Sequence, residues 1–143
     1  MIEKAYQNPE VIRAALALKR VAIVGLSNKE LRASNFVGRY MQSHGYQVIP
    51  VNPQADEIIG LTCYPSLLDI PEPVDIVNVF RLPPAVPAIA RDAVTIGAKC
   101  LWLQFGVITQ EGADIATAGG LDVVMDRCIK IEQIIRNTQR QKP

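Results

Sequence analysis

The chain has 143 residues, a formal net charge of +1, 49% apolar and 20% charged residues. That length suits one domain able to remove roughly 70% of its unfolded surface from water, and so even a charge balance excludes recruitment of nucleic acid or acidic lipid by a global field. No apolar run approaches the roughly 20 residues of a membrane span, and "MIEKAYQNPE" carries no basic-then-apolar signal pattern.

A single domain over residues 1–143 is expected, with a leading helix within 1–20 and a core over 21–136. "NPEVIRAALAL" opens with Asn8 as N-cap, Pro9 at the first helical position and Glu10 near the positive helix end. "RVAIVGL" is a near-continuous apolar strand, too short for a second helix. Ser34 or Asn35 then caps a helix to about His44, where Gly45 supplies the left-handed stop and His44 meets the helix dipole. "YQVIPVNP" is the next strand, followed by a short extended piece at "GLTCYPSL" and the strong strand "VDIVNVF". "PPAVPAIARDAVTIG" reads as a helix that tolerates Pro84 and Pro87 in its first turn. "AKCLWLQF", "TQEGADIATAGG" and "LDVVM" continue as strand, helix and strand, and "DRCIKIEQIIRNTQRQ" is a closing helix with Asp126 as its cap.

Strands apolar on both faces, alternating with helices, belong to a parallel sheet covered on both sides. The expected class is therefore α/β, doubly wound and Rossmann-like, with about five strands. In such sheets ligands bind beyond the carboxyl ends of the strands, near the point where strand order reverses. That rule selects Gly25 to Asn35, Val51 to Pro53, Phe80 to Pro83, Gln104 to Gly106, and Asp126 to Cys128.

The first of these segments departs from the GxGxxG turn of dinucleotide sites. Gly25 is present, Ser27 stands where the second glycine would be, and the third is absent. The loop offers hydroxyls, Lys29, Arg32 and Ser34 ahead of a helix start whose N–H groups favour a phosphate. The alternative is a solvated strand-to-helix connection. The second strand ends at Asn52, not at the Asp or Glu that holds a ribose in NAD-binding folds; a turn residue before Pro53 is the other reading. Arg81 ends an apolar strand, where a guanidinium can grip phosphate or stack on adenine, or simply face solvent. "WLQFG" places Gln104 and Gly106 at a strand terminus, or else Trp102 and Phe105 pack the core and Gly106 serves the turn.

Cys128, beside Arg127 at a helix start, has the setting of a low-pKa thiol, although such a cysteine is also an ordinary buried apolar residue. The three cysteines, Cys63, Cys100 and Cys128, form neither a CxxC nor an even framework. They read as reduced thiols of a cytoplasmic protein, and one histidine leaves no zinc set. No acidic pair, Ser/His/Asp arrangement or P-loop lysine is apparent, so no catalytic set is expected.

From Val21 to Ile134 the chain resembles the small stand-alone CoA-binding proteins, related to the CoA-binding domain of the succinyl-CoA synthetase alpha subunit. The resemblance rests on "VAIVGLS", "GYQVIPVNP", "CYPSLLDIPEPVDIVNVFR", "GAKCLWLQFG" and "VVMDRCIKIE" in that order. It implies CoA across the carboxyl edge, with Gly25, Ser27, Arg32 and Ser34 by the phosphates. Val51, Asn52, Pro53, Phe80 and Arg81 would flank the adenosine, while Gln104, Gly106, Asp126, Arg127 and Cys128 would line the pantetheine side. Synthetase activity is not carried over, because His44 does not match the synthetase's phosphorylated histidine. The expected function is a non-catalytic module for coenzyme A or acyl-CoA; thiol or acyl chemistry at Cys128 and NAD(H) binding are the alternatives.

Overall fold

The computed structural model describes residues 1–140. A 3-10 turn, Ile2–Tyr6, precedes helix α1, Pro9–Leu16. Asn8 caps α1 as its sequence dictates, its side-chain oxygen accepting from the Glu10 N–H at 2.9 Å. The main sheet has five strands: β1 Arg20–Val24, β2 Gln47–Val51, β5 Ile76–Val79, β6 Cys100–Leu103 and β7 Asp122–Val124. They lie in the order β2-β1-β5-β6-β7, and every pairing is parallel. Between β2 and β5, β3 (Glu57–Ile58) and β4 (Leu61–Thr62) make a small antiparallel hairpin where one short extended piece was expected.

The crossovers are helices α2 Ala33–Ser43, α3 Val86–Thr95 and α4 Gln110–Ala118, and α5 Ile129–Arg140 closes the described chain. The last residue of the expected closing helix, Gln141, lies outside the described residues. The period-2 geometry of each strand divides the core into two layers. Ala22, Val77 and Leu101 pack with Ala90 and Ala93 of α3 and Ala113 of α4. Ile23, Ile76 and Trp102 pack with Leu16 of α1, Val37 of α2 and Ile129 of α5. All eight residues of β5 and β6 are buried, as strands covered on both faces must be. The fold is a doubly wound, Rossmann-like α/β sheet.

The hairpin turn carries local strain. Ile59 has φ +49°, an outlier for a β-branched residue, next to Gly60 at φ +76°. Its side chain compensates by packing on α2: a Cβ added to Gly38 would lie 3.2 Å from Ile59 Cδ1.

Candidate functional site: the carboxyl edge of the sheet

Strand order reverses between β1 and β5, which are neighbours although the chain visits β2 between them. The crevice of the fold therefore opens where Gly25 leaves β1 and Phe80 leaves β5. Gly25 has φ +90°, and a Cβ there would sit 2.6 Å from the Phe80 carbonyl oxygen and 3.1 Å from Arg81 Cδ. Its backbone is held by a hydrogen bond from its N–H to Val51 O at 2.9 Å. Glycine is thus required by the approach of β5 itself.

The loop after Gly25 is organised differently from its sequence expectation. Neither Ser34 nor Asn35 caps α2; the N-cap position is Arg32, whose side chain makes no capping bond. Both polar residues lie within the first turn and fasten the loop instead. The Ser27 N–H donates to Ser34 Oγ at 2.9 Å, and Asn35 Nδ2 donates to Ser27 O at 2.8 Å. The physical reason is direction: side chains in a first helical turn lean back toward the N-terminus, over the preceding loop. The fastened loop leaves the N–H groups of Ala33 and Ser34 without a protein acceptor among the described residues. They face a cavity of about 420 Å³ lined by Gly25, Ser27, Lys29, Arg32, Ala33 and Ser34, with Gln54 and Phe80 at its side. No acidic side chain lines it, and neither Lys29 nor Arg32 is ion-paired among the described residues. Two cations and free helix N–H groups give this cavity a positive character that suits an anion.

Two further cavities flank it. Toward β2, Val51, Pro53 and Arg81 border a slot of about 140 Å³ with Ser66, Leu67 and Ile89. Toward β6 and β7, a cavity of about 910 Å³ shares Ala33 and Phe80 with the positive cavity and Arg81 with the slot. Gln104, Gly106, Asp126, Arg127 and Cys128 all line this larger space. Asn52 lines none of the three. Its Nδ2 donates to Leu26 O at 3.1 Å and its Oδ1 accepts from the Gln54 N–H at 2.9 Å, tying the loops after β1 and β2 together.

At the β6–β7 end the capping scheme also differs from expectation. Asp126 does not cap α5: it holds φ +60°, and its Oδ1 accepts from the Gly106 N–H at 2.7 Å. The cap comes from a neighbouring strand end, because Gln104 Oε1 accepts from the Ile129 N–H at 3.1 Å. The same oxygen accepts from Asn78 Nδ2 at 3.1 Å, while Asn78 Oδ1 is buried with no partner among the described residues. Trp102 is wholly buried and donates its indole N–H to Arg127 O at 2.8 Å. The Arg127 guanidinium bonds Gln7 Oε1 at 2.9 Å and Asp126 O at 3.1 Å. Trp102 is therefore core, whereas Phe105, 77% exposed, is not.

Of the three thiols, Cys128 alone borders these cavities. Cys63 and Cys100 are buried, and desolvation pushes both upward from the ordinary thiol value, with nearby Asp122 adding to the effect at Cys100. Among the described residues no group of three or more His, Cys, Asp or Glu could hold a metal ion, and no helix is long and apolar enough to cross a membrane. The residues that sequence reasoning missed are Asn78 and the lining residues Val37, Val107, Ile131 and Glu132. An amide inside "VDIVNVF" was the one available signal.

A family model described as "CoA binding domain" matches residues 19–134. The chain belongs to the CoA-binding domain family. It is similar to the uncharacterized protein YneT of Bacillus subtilis (strain 168), 39% identical over 132 residues, covering 90% of this chain and 98% of that one. It is also similar to the acetate–CoA ligase (ADP-forming) I of Archaeoglobus fulgidus, 30% identical over 121 residues. That match covers 78% of this chain but only 18% of the ligase. Among solved structures, a hypothetical protein from Pyrococcus horikoshii OT3 matches with a TM-score of 0.87 and 38% identity, covering 90% of this chain and 91% of that one.

Proposed function

We propose that the carboxyl-edge cleft binds coenzyme A or an acyl-CoA, and that the chain acts as a binding module without catalysis of its own. The observation that carries this reading is the adjacency of three unlike spaces along the carboxyl edge. A cationic site with free N–H groups shares Ala33 and Phe80 with a roomy cavity toward β7, and that cavity shares Arg81 with a narrow slot toward β2. A ligand with a central diphosphate, a nucleoside on one arm and a long flexible second arm has the matching layout. The phosphates lie against Lys29, Arg32 and the Ala33 and Ser34 N–H groups, bound by charge-assisted hydrogen bonds. The adenosine lies against Val51, Pro53, Phe80 and Arg81, and the pantetheine arm runs along Gln104–Gly106 toward Asp126–Cys128. Membership of a CoA-binding family, and a relative whose name is acetate–CoA ligase, support the choice of ligand.

NAD(H) fits less well, because the end of β2 presents Asn52, whose amide is already committed to Leu26 O and the Gln54 N–H. Thiol chemistry keeps one favourable observation, the opening of Cys128 onto the large cavity. Isothermal titration of the reduced protein with CoA and with NADH tests the reading, alongside mass spectrometry of any ligand released from purified protein. Saturable CoA binding stronger than NADH binding is expected. A folded protein that takes up no CoA at millimolar concentration would sink it.

A further inference from the structure

The large cavity is chemically unlike the anion site it adjoins. Its walls are Val37, Phe80, Leu82, Phe105, Val107 and Ile131. Three of these stand at the surface: Leu82 is 78% exposed, Phe105 77% and Ile131 53%. The chain has only three phenylalanines, and two of them, Phe80 and Phe105, line this one opening.

Of the polar groups that share the cavity, Gln104, Asp126 and Arg127 make bonds within the protein, while the Arg81 and Glu132 side chains make none among the described residues. Gln104 Oε1 serves Asn78 and Ile129, Asp126 Oδ1 serves Gly106, and Arg127 is bonded to Gln7 and to the Asp126 carbonyl. A hydrocarbon finds apolar lining here and covers exposed apolar rim. At about 910 Å³ the cavity also lies near the upper end of small-molecule sites.

We propose that the large cavity is an acyl site, taking the aliphatic chain of an acyl-CoA thioester whose phosphates occupy the Arg32–Ser34 site. This inference rests on the CoA reading and names the ligand class: neutral, unbranched acyl thioesters in preference to free CoA. Binding is displacement of water by methylenes, with no bond made or broken.

The test is a titration series in reducing buffer with CoA, acetyl-CoA, butyryl-CoA, hexanoyl-CoA and octanoyl-CoA. Affinity rises with chain length, by about two- to fourfold for each methylene that becomes buried. Ile131→Asp, at an exposed position of α5, places a charge on the wall. It lowers the hexanoyl-CoA to CoA affinity ratio toward one, and circular dichroism checks that it remains folded. Hexanoyl-CoA binding no tighter than acetyl-CoA, while CoA itself binds, overturns the acyl site and leaves the CoA reading standing. Failure of every member of the series to bind overturns the CoA reading instead. A chain-length gain that Ile131→Asp leaves intact places the acyl group elsewhere and overturns the assignment of this cavity.

Discussion

Gly25→Ala probes the junction on which the whole cleft depends. Two costs act there and can be separated. A side chain at φ +90° carries the left-handed backbone penalty, about 1–2 kcal/mol for an L-residue. The new Cβ also meets the Phe80 carbonyl oxygen at 2.6 Å, well inside the 3.4 Å of ordinary contact. Phe80 cannot retreat freely, because its N–H is bonded to Val24 O at 2.8 Å. Overpacking of this kind costs about 1–3 kcal/mol more. Gly45→Ala is the internal control: φ is +89°, with nothing within 4 Å of the added Cβ. It pays the backbone term alone. Urea unfolding followed by circular dichroism should therefore show Gly25→Ala less stable than Gly45→Ala by about 1–3 kcal/mol. In thermal melts each kcal/mol lowers Tm by about 2–4 °C for a chain near this size. Equal losses in the two variants would mean that β5 does not constrain Gly25, and the steric account of this glycine would fail.

Gln104→Leu leaves both the Asn78 amide and the Ile129 N–H short of an acceptor, so a loss of about 2–4 kcal/mol in urea is expected; a change under 0.5 kcal/mol would show that water or a neighbour replaces it. Arg32→Ala and Arg81→Ala should each weaken CoA binding by about 1.5–3 kcal/mol without moving the urea midpoint. Unchanged affinity in both variants rejects the Arg32 contact with phosphate and the Arg81 contact with the adenosine part. Alkylation of the native protein should modify Cys128 first, with Cys63 and Cys100 reacting only on unfolding, as peptide mapping would reveal. The same burial has a pH consequence. The folded state raises both buried thiols above the ordinary 9.0, so the fold binds protons that the unfolded chain releases. This contribution to stability is complete below pH 9 and declines above it. Replacing Cys100 with Ala should flatten the alkaline fall, and an identical slope in wild type and variant would refute the linkage.

The elements were readable from local signals. Asn8 and Pro9 announced α1, and the two-sided apolar strands announced a parallel sheet with a crevice at its carboxyl edge. What escaped the sequence was the choice of partner across space. Ser34, Asn35 and Asp126 are all sound cap residues by type, yet each bonds a loop, and α5 is capped by Gln104 from 25 residues earlier. Capping rules describe neighbours along the chain, and a strand end brought beside a helix start is not a neighbour in that sense. The Ile59–Gly60 turn was missed for a related reason: isoleucine is a poor turn residue, and only its packing on Gly38 makes it acceptable. The large cavity was legible only in part. Its polar residues stood out as exceptions at strand ends, whereas Leu82 and Ile131 looked like any other apolar residue until the fold left them exposed.

Trp102 gives the molecule an optical property that its environment determines. It is the single tryptophan of the chain, fully buried, and its indole hydrogen bond ends on the carbonyl of Arg127, a residue of the cavity wall. Occupancy that moves Arg127 changes the dipole at the indole nitrogen without exposing the ring to water. Intrinsic fluorescence therefore reports any occupancy that displaces Arg127, with no label attached and no second emitter of its kind to subtract.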